Sequence, residues 1–313
     1  MKCPICKDIN PERVFKNSTI NIERDIVFCD SCNLFFVDPM PTANELKKLY
    51  EKKWSWDFGM NEKSSFINRI FRTVYEMHQQ FLAQERAKHL FSLIPDAHNK
   101  TMEIGSGNGA FLKKITSKYG RVEGIEPSLR NDYTQGAVSI KKMSIDENLK
   151  LAEKYDVICM YMVLEHLPNP IQTLNTLVDY LNPNGYLVIE VPYSPHKEFK
   201  NMGNFELNKV FNNVHLFHFS RKNVTKLASV INARLEDFQV IKKREFIDGY
   251  NVFSVYPNAS RKPWSYKSIA LINLMVLYVK GLVGAPIHES IDEETTPFGD
   301  GYWIRFVLQK GSC

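Results

Sequence analysis

The feature that constrains this chain most is Glu103-Ile-Gly-Ser-Gly-Asn-Gly109. It follows four residues with strand character, Thr101 to Ile104, and runs into Phe111 to Tyr119, whose apolar spacing predicts a helix. Glycines clustered between a strand and a helix serve the backbone rather than the core. Gly105 permits a sharp turn at positive φ, and Gly107 lets the main chain approach a ligand more closely than a side chain would allow. Such a turn does not define its ligand by itself. It gains meaning from Glu126, about twenty residues on at the end of a second predicted strand, where a carboxylate can accept hydrogen bonds from both hydroxyls of a ribose.

Short apolar strands then alternate with helical segments, the pattern of a parallel sheet made from crossover units with helices on both faces. The predicted strands are Thr101 to Ile104, Arg121 to Ile125, Val138 to Lys141, Val157 to Tyr161 and Gly185 to Val191, with a second helix at Ile171 to Leu181. After Ser220 come a helix to about Asn232, a strand near Leu235 to Ile241 and a last strand at Tyr302 to Leu308. With 313 residues, 44% apolar and 24% charged, the chain has room for one large globular domain and smaller additions. Its net charge of +5 is spread along the chain, which speaks against a dedicated nucleic-acid surface and leaves acidic small molecules open as ligands.

Four of the six cysteines lie in two pairs, Cys3-Pro-Ile-Cys6 and Cys29-Asp-Ser-Cys32, while Cys159 and Cys313 stand alone. Each pair can form a knuckle whose sulfurs converge on one ion, and two knuckles complete a tetrahedral thiolate shell, a zinc ribbon. Disulfide or redox pairs are the alternative; the doubled spacing and a reducing compartment favour structural Zn2+. Four sulfurs leave no position for water or substrate, so the metal holds a segment too short to bury its own core. Met1-Lys2-Cys3-Pro4 has no apolar stretch of a secretory signal, and a cytoplasmic location is expected.

Beyond the ribbon, Asp38-Pro-Met-Pro41 breaks the run Leu34 to Val37, and Thr42 offers an N-cap for a helix ending near Tyr50. After the aromatic patch Trp54, Trp56 and Phe58, the residues Phe66, Ile70, Val74, Met77, Phe81 and Leu90 recur at helical spacing, with Tyr75 and His78 as weaker candidates for substrate contact. Near the other end, Trp264, Tyr266, the apolar stretch Ile269 to Val279 and the acidic run Asp292-Glu-Glu294 read as an insertion, either a lid or oligomer surface or an acceptor-recognising element. The apolar stretch contains Asn273, ends at Lys280 and is too short to span a membrane; it reads as a buried helix, with an interfacial or dimer-forming helix as the alternative.

Glu103 to Gly109, Glu126, Asp156 to His166 and Asn182-Pro-Asn-Gly185 resemble, in order and spacing, the successive motifs of class I S-adenosylmethionine-dependent methyltransferases. The resemblance runs through roughly residues 100 to 192. It implies a Rossmann-like fold in which Glu103, Gly105, Ser106, Gly107 and Gly109 hold the methionine part of the cofactor, Glu126 with Pro127 takes the ribose, Ser144 and Ile145 flank the adenine, and Met160 and Tyr161 border the pocket. A nicotinamide dehydrogenase shares the glycine pattern, but the Glu-His pair and the Asn-Pro-Asn-Gly turn favour methyl transfer. On this reading the chain divides into a zinc ribbon (1–40), a linker with leading helices (41–95), the methyltransferase core (96–245), a helical insertion (246–300) and a final core strand (301–313).

The order of ribbon, Asp38-Pro-Met-Pro41 junction, leading helix, core and His215-Leu-Phe-His-Phe-Ser220 is similar to sugar methyltransferases acting on nucleotide-linked or polysaccharide sugars. In the carbon-methylating members a Tyr-x-Glu-His stretch precedes Phe-Ser, with the His as base; here Asn212 and Val214 stand at the Tyr and Glu positions. Removing a proton beside a carbonyl needs a supported base, whereas a hydroxyl needs alignment and modest proton removal, so O-methylation is expected. His215 is the first candidate for base and His166 the second; a structural role for both is the bland alternative. Carbon methylation, an RNA or other small-molecule acceptor, and a non-catalytic cofactor-binding scaffold are the competing functions. Nucleic acid is disfavoured because, between the knuckles, Arg13, Lys16 and Arg24 are opposed by Glu12, Glu23 and Asp25. Peripheral membrane association would follow from a lipid-linked acceptor.

Overall fold

The computed structural model describes residues 1–17, 24–46, 48, 66–95, 100–145, 149–193, 215–243, 272, 275–276, 279, 288–291 and 302–311. Trp54, Trp56, Phe58, Asn212, Val214, Trp264, Tyr266 and the run Asp292 to Glu294 lie outside them, as do the side chains of Tyr75 and His78.

Strands β1 (Glu12–Asn17), β2 (Arg24–Cys29) and β3 (Leu34–Asp38) form an antiparallel meander. The second cysteine pair is the turn between β2 and β3, where Cys29 faces Leu34 across the ladder. Lys7 and Asn33, each directly after a Cys-x-x-Cys pair, adopt positive φ (65° and 56°), which curls each knuckle back on itself. Past the junction, Thr42 and Glu45 form a reciprocal cap, with Thr42 N–H donating to Glu45 Oε2 at 2.7 Å and Glu45 N–H to Thr42 Oγ1 at 3.3 Å. Helix α1 (Phe66–Leu93) follows. Its buried residues include Ala83, Ala87 and Leu90, with Ile94 buried just past its end, while Met77 and Phe81 of the predicted stripe are only half-buried.

The main sheet is built from β4 (Thr101–Ile104), α2 (Ala110–Tyr119), β5 (Val122–Ile125), β6 (Tyr133–Gln135), β7 (Val138–Lys141), β8 (Tyr155–Tyr161), α3 (Pro170–Asp179) and β9 (Leu181–Pro192). After these come β10 (Phe217–His218), α4 (Arg221–Val230), β11 (Ala233–Lys243), β12 (His288–Ile291) and β13 (Tyr302–Lys310). Nine strands lie in the order β12-β11-β13-β9-β8-β4-β5-β7-β6. The five from β7 to β9 are parallel; β13, β11 and β12 extend one edge antiparallel, and β6 caps the other. Strand order reverses between β4 and β8, and the crevice beyond their carboxyl ends is where open sheets bind ligands.

Alternation along β8 assigns the two faces. Ile158 and Met160 enter one apolar cluster with Leu174 and Leu177 of α3 and Val224 and Leu227 of α4; Val157, Cys159 and Tyr161 enter another with Leu90 of α1 and Leu112 and Ile115 of α2. Helices thus cover both faces, as the alternating pattern implies. Each fully buried leucine here contributes about 1.5–3 kcal/mol relative to exposure.

Three expectations need correction. The Asn182-Pro-Asn-Gly185 turn lies within β9, as an excursion between the pairs Tyr155↔Leu181 and Val157↔Tyr186, with Asn184 at positive φ. The ribbon is continued by β10, whose Phe217 and His218 pair with Phe36 and Phe35, and it shares one apolar cluster with the main sheet. The insertion, expected to be helical, also supplies β12, which pairs with β11; residues 272, 275, 276 and 279 are helical. Ile272, Met275 and Val279 expose their side chains, so among the described residues this stretch is not a buried helix. No helix among the described residues is long and apolar enough to cross a membrane.

Candidate functional site

The turn after β4 is held by two backbone bonds to the neighbouring strand, Gly105 N–H and Ser106 N–H both donating to Ile125 O at 2.9 and 3.1 Å. Gly105, Gly107 and Gly109 all have positive φ, at 71°, 52° and 73°. The reasons for glycine differ along the turn. A Cβ on Gly105 would collide with Val163 Cγ2, whereas one on Gly107 would meet nothing within 4 Å. Gly105 is therefore packed against the loop after β8, and Gly107 faces open space where a ligand can come to its backbone. Gly109 precedes α2, whose first amide, Ala110 N–H, donates to Asn108 Oδ1 at 3.1 Å, and the positive end of that helix favours negative or electron-rich groups.

Glu126 is buried, and its carboxylate bridges two amides: Oε2 accepts from Gly107 N–H and Oε1 from Ser128 N–H, both at 2.9 Å. The ribose position assigned to it thus coincides with a brace of the glycine turn. Pro127 and Ser144 are exposed and Ile145 is half-buried against the core. Met160 and Tyr161, successive in β8, point to opposite faces of the sheet. Only Tyr161 shares its face with Glu103, and the two do not border one pocket from the same side.

Glu103 reaches from β4 toward α1, buried, with Oε2 unpartnered. Burial raises its carboxyl to about 8, against the pull of Arg86 and with a further push from Glu126. Ser106 Oγ and Tyr161 Oη are likewise buried without a partner. Buried polar groups are normally satisfied, so the unpartnered oxygen of Glu103 fits a polar ligand that carries a cation to it. An amino-acid ammonium has that chemistry.

Beneath lies an arrangement not foreseen from the sequence. Glu190 of β9 receives Arg86 Nε at 3.1 Å and Arg305 Nε at 2.9 Å, on separate oxygens. Burial alone would raise Glu190, but the two guanidinium groups outweigh it and hold the carboxyl at about 2. Arg86 also lies 4.5 Å over the Tyr161 ring. The triad locks α1, β9 and β13 around the floor of the crevice.

The second cluster stands beside the glycine turn, two residues beyond Val163. Glu165 is fully buried and raised to about 8 by burial. His166 Nε2 lies 3.7 Å and His215 Nε2 4.0 Å from its Oε1, and the two imidazole rings are 5.0 Å apart. The ligand-capable atoms of all three lie within 4.8 Å of one another. These separations exceed a hydrogen bond, leaving space for a proton-bearing group or an ion between them. His218, its ring 5.7 Å from that of His215, is kept neutral by burial, which lowers it to about 3. The structure therefore brings together His166 and His215, 49 positions apart, through a residue absent from the predicted site. Glu165 was visible only as the acid next to His166.

At the other end, Cys3, Cys6, Cys29 and Cys32 place their sulfurs within 4.8 Å of one another, with Cys3–Cys32 at 3.6 Å and Cys6–Cys29 at 3.4 Å. Four thiolates at about 2.3 Å from one tetrahedral ion would stand about 3.8 Å apart, so the shell fits zinc. The four cysteines are unbridged in this structure.

A parallel sheet with a glycine turn at its switch point, orphaned polar groups above it and an antiparallel edge in place of further crossover units defines a Rossmann-like methyltransferase rather than a dinucleotide enzyme. A family model described as a methyltransferase domain matches residues 75–236, more than half of the chain, and the chain belongs to that family of S-adenosylmethionine-dependent enzymes. A curated relative, the tRNA U34 carboxymethyltransferase of Desulfotalea psychrophila, is 27% identical over 195 residues, which are 59% of this chain and 57% of the relative. The chain thus spans little more than half of that protein's length. Among solved structures, 1,6-didemethyltoxoflavin-N1-methyltransferase of Burkholderia thailandensis, with S-adenosylhomocysteine bound, aligns with a TM-score of 0.48 at 10% identity, covering 97% of this chain and 100% of that one. An S-adenosylmethionine-dependent methyltransferase of Mesorhizobium loti aligns at 0.43 and 10%, covering 71% and 96%.

Proposed function

We propose that this methyltransferase acts on a hydroxyl of a sugar, in nucleotide-linked or polysaccharide form, with His215 as proton acceptor and His166 beside it, and that its four N-terminal cysteines hold a structural zinc. The observation carrying the reading is the Glu165–His166–His215 cluster, set against the glycine turn through the Gly105–Val163 contact. S-adenosylmethionine, when bound, supplies an electrophilic methyl group whose bond to sulfur breaks as the new bond to oxygen forms, leaving S-adenosylhomocysteine.

The protein's share is placement and proton removal. Glu103 would hold the methionine ammonium, the backbone at Gly107 would lie beside the same part of the cofactor, and Glu126 would face its diol. His215 takes the hydroxyl proton as the oxygen approaches in line. The imidazolium so formed lies 4.0 Å from Glu165 Oε1, where an ionised Glu165 would stabilise its charge. Holding acceptor and methyl group in line supplies most of the acceleration.

A sugar is favoured over RNA because two of the ribbon's basic residues are already engaged. Arg13 pairs with Asp25 at 3.1 Å, and Arg24, buried, pairs with Glu45 at 3.0 Å, which leaves neither to follow a phosphate backbone. The relative's name keeps tRNA as the second reading. Transfer of labelled methyl groups to a panel of sugar nucleotides, polysaccharide and tRNA decides between them. Sugar labelling that His215→Ala abolishes while cofactor titration is unchanged is the expected result; labelling of tRNA alone, or full turnover in the variant, overturns it.

A further inference from the structure

The ribbon takes no part in the chemistry above, yet its sheet does not end with its own strands. We propose that the cysteine ribbon is a positioning template for His215, with β3 fixing the backbone of residues 215–218 against the Glu165 loop. A chain of main-chain bonds makes the connection. Val37 N–H donates to Leu216 O at 3.1 Å, and Leu216 N–H donates to Glu165 O at 2.7 Å, so one residue links the ribbon to the loop that carries Glu165 and His166. His215 immediately precedes that residue. Strand β10 has two residues, too few to hold a conformation alone, and it lies on the ribbon's sheet through Phe217↔Phe36 and His218↔Phe35.

The template is tied down at its metal end. Asn33, which follows Cys32, offers its carbonyl to Ser220 Oγ at 3.2 Å and to Asn223 Nδ2 at 2.9 Å, and Asp30 O accepts from Lys222 Nζ at 3.0 Å. The start of α4 is thus clamped to the second knuckle, and the six residues from His215 to Ser220 are held at both ends by the ribbon. Apolar packing reinforces the seam: Phe35, Phe217 and Phe219 are fully buried in the shared cluster. Without an ion the four sulfurs lose their common centre, and the turn between β2 and β3 loses the anchor that sets the height of β3. A displacement of His215 by a fraction of an ångström then affects catalysis before it affects cofactor binding, because the glycine turn is braced from β5 and not from the ribbon.

The consequence for turnover rests on the reading of His215 as proton acceptor; the coupling itself does not, and the test separates them. Full-length, metal-loaded protein carrying ring-labelled histidine is compared with metal-stripped protein and with Asn223→Asp. The variant keeps the oxygen that accepts Ser220 N–H at 3.1 Å but loses the donor to Asn33 O, leaving all four cysteines intact. Metal content and cofactor dissociation constant should stay within about twofold, the His215 ring resonance should move, and kcat should fall about tenfold with a smaller change in acceptor KM. Val37→Pro, which deletes the donor to Leu216 O, gives the same readings should Asn223→Asp not fold. A His215 resonance unmoved by metal removal and by the seam variant overturns the template. If instead His215→Ala keeps full turnover, only the proton-acceptor role falls, and the resonance still reports the coupling.

Discussion

Cofactor affinity should rise with pH across neutrality, because docking of the methionine ammonium must drive a proton from Glu103. Burial holds this carboxyl at about 8, Glu126 adds to the effect and Arg86 opposes it. Arg86, engaged by Glu190, keeps its charge over this range, and the Tyr161 phenol, pushed up by burial, stays neutral. A carboxyl titrating near 8 is about nine-tenths protonated at pH 7 and about 99% protonated at pH 6. The ammonium favours the ionised form, so the free protein binds the proton and the complex does not. Binding therefore releases about 0.9 proton at pH 7, and the association constant climbs about ninefold from pH 6 to pH 7. The window closes near pH 8, where the cofactor's own amino group begins to titrate. Isothermal titration at pH 6.0, 6.5 and 7.0, in buffers of different ionisation heat, measures both quantities. Glu103→Gln should bind more weakly, with no pH slope and no proton release. A flat wild-type affinity, or proton uptake, would refute the assignment of Glu103 to the ammonium.

Two further outcomes separate packing from chemistry. Gly105→Ala should lose about 1–3 kcal/mol of stability, since it combines positive φ with a collision at Val163, and cofactor binding should go with it. Gly107→Ala has open space around its new methyl and carries only the strain of positive φ, about 1 kcal/mol, so it should destabilise less than Gly105→Ala while cofactor titration shows the loss. Glu190→Gln should cost about 3–5 kcal/mol in urea unfolding, because it leaves Arg86 and Arg305 buried around a neutral partner. The folded value of Glu190, about 2, lies below that of the unfolded chain. Its contribution is therefore complete above roughly pH 4.3 and is lost as pH falls toward 2, a slope that Glu190→Gln should lack.

The sheet could be read from the sequence because a parallel strand buried on both faces leaves an uninterrupted apolar run. Val157 to Tyr161 is such a run, and the structure buries every residue in it. The edges could not. Strand β12 arises inside a stretch whose composition suggested a helix, and it exists because β11 offers a free edge from Val240 to Lys243, a tertiary fact with no local signal. Strand β10 is the same case in miniature: Phe217 and His218 are extended because β3 lies alongside. The Asn182 to Gly185 stretch read as a turn because its residues favour one, and locally it is one, at Asn184; the ladder simply resumes at Tyr186.

In the site, what could be read was whatever the backbone needs nearby in sequence: the glycine turn, the acid that braces it, the paired cysteines. What could not was whatever charge balance requires at a distance. Glu190 sits in an apolar strand where a carboxylate has no local justification, and its partners lie 104 and 115 positions away, on a helix and on the last strand. Each is unremarkable in its own segment; a buried carboxylate only becomes tolerable when two guanidinium groups surround it. The histidines follow the same logic. His166 stands out because an acid precedes it and a strand ends before it, but its meeting with His215 depends on Leu216 joining that loop to the ribbon. A residue whose role comes from two backbone bonds, one to the ribbon's sheet and one to the Glu165 loop, leaves no pattern of its own, and so the ribbon, legible by its paired cysteines, gave no sign of that contact.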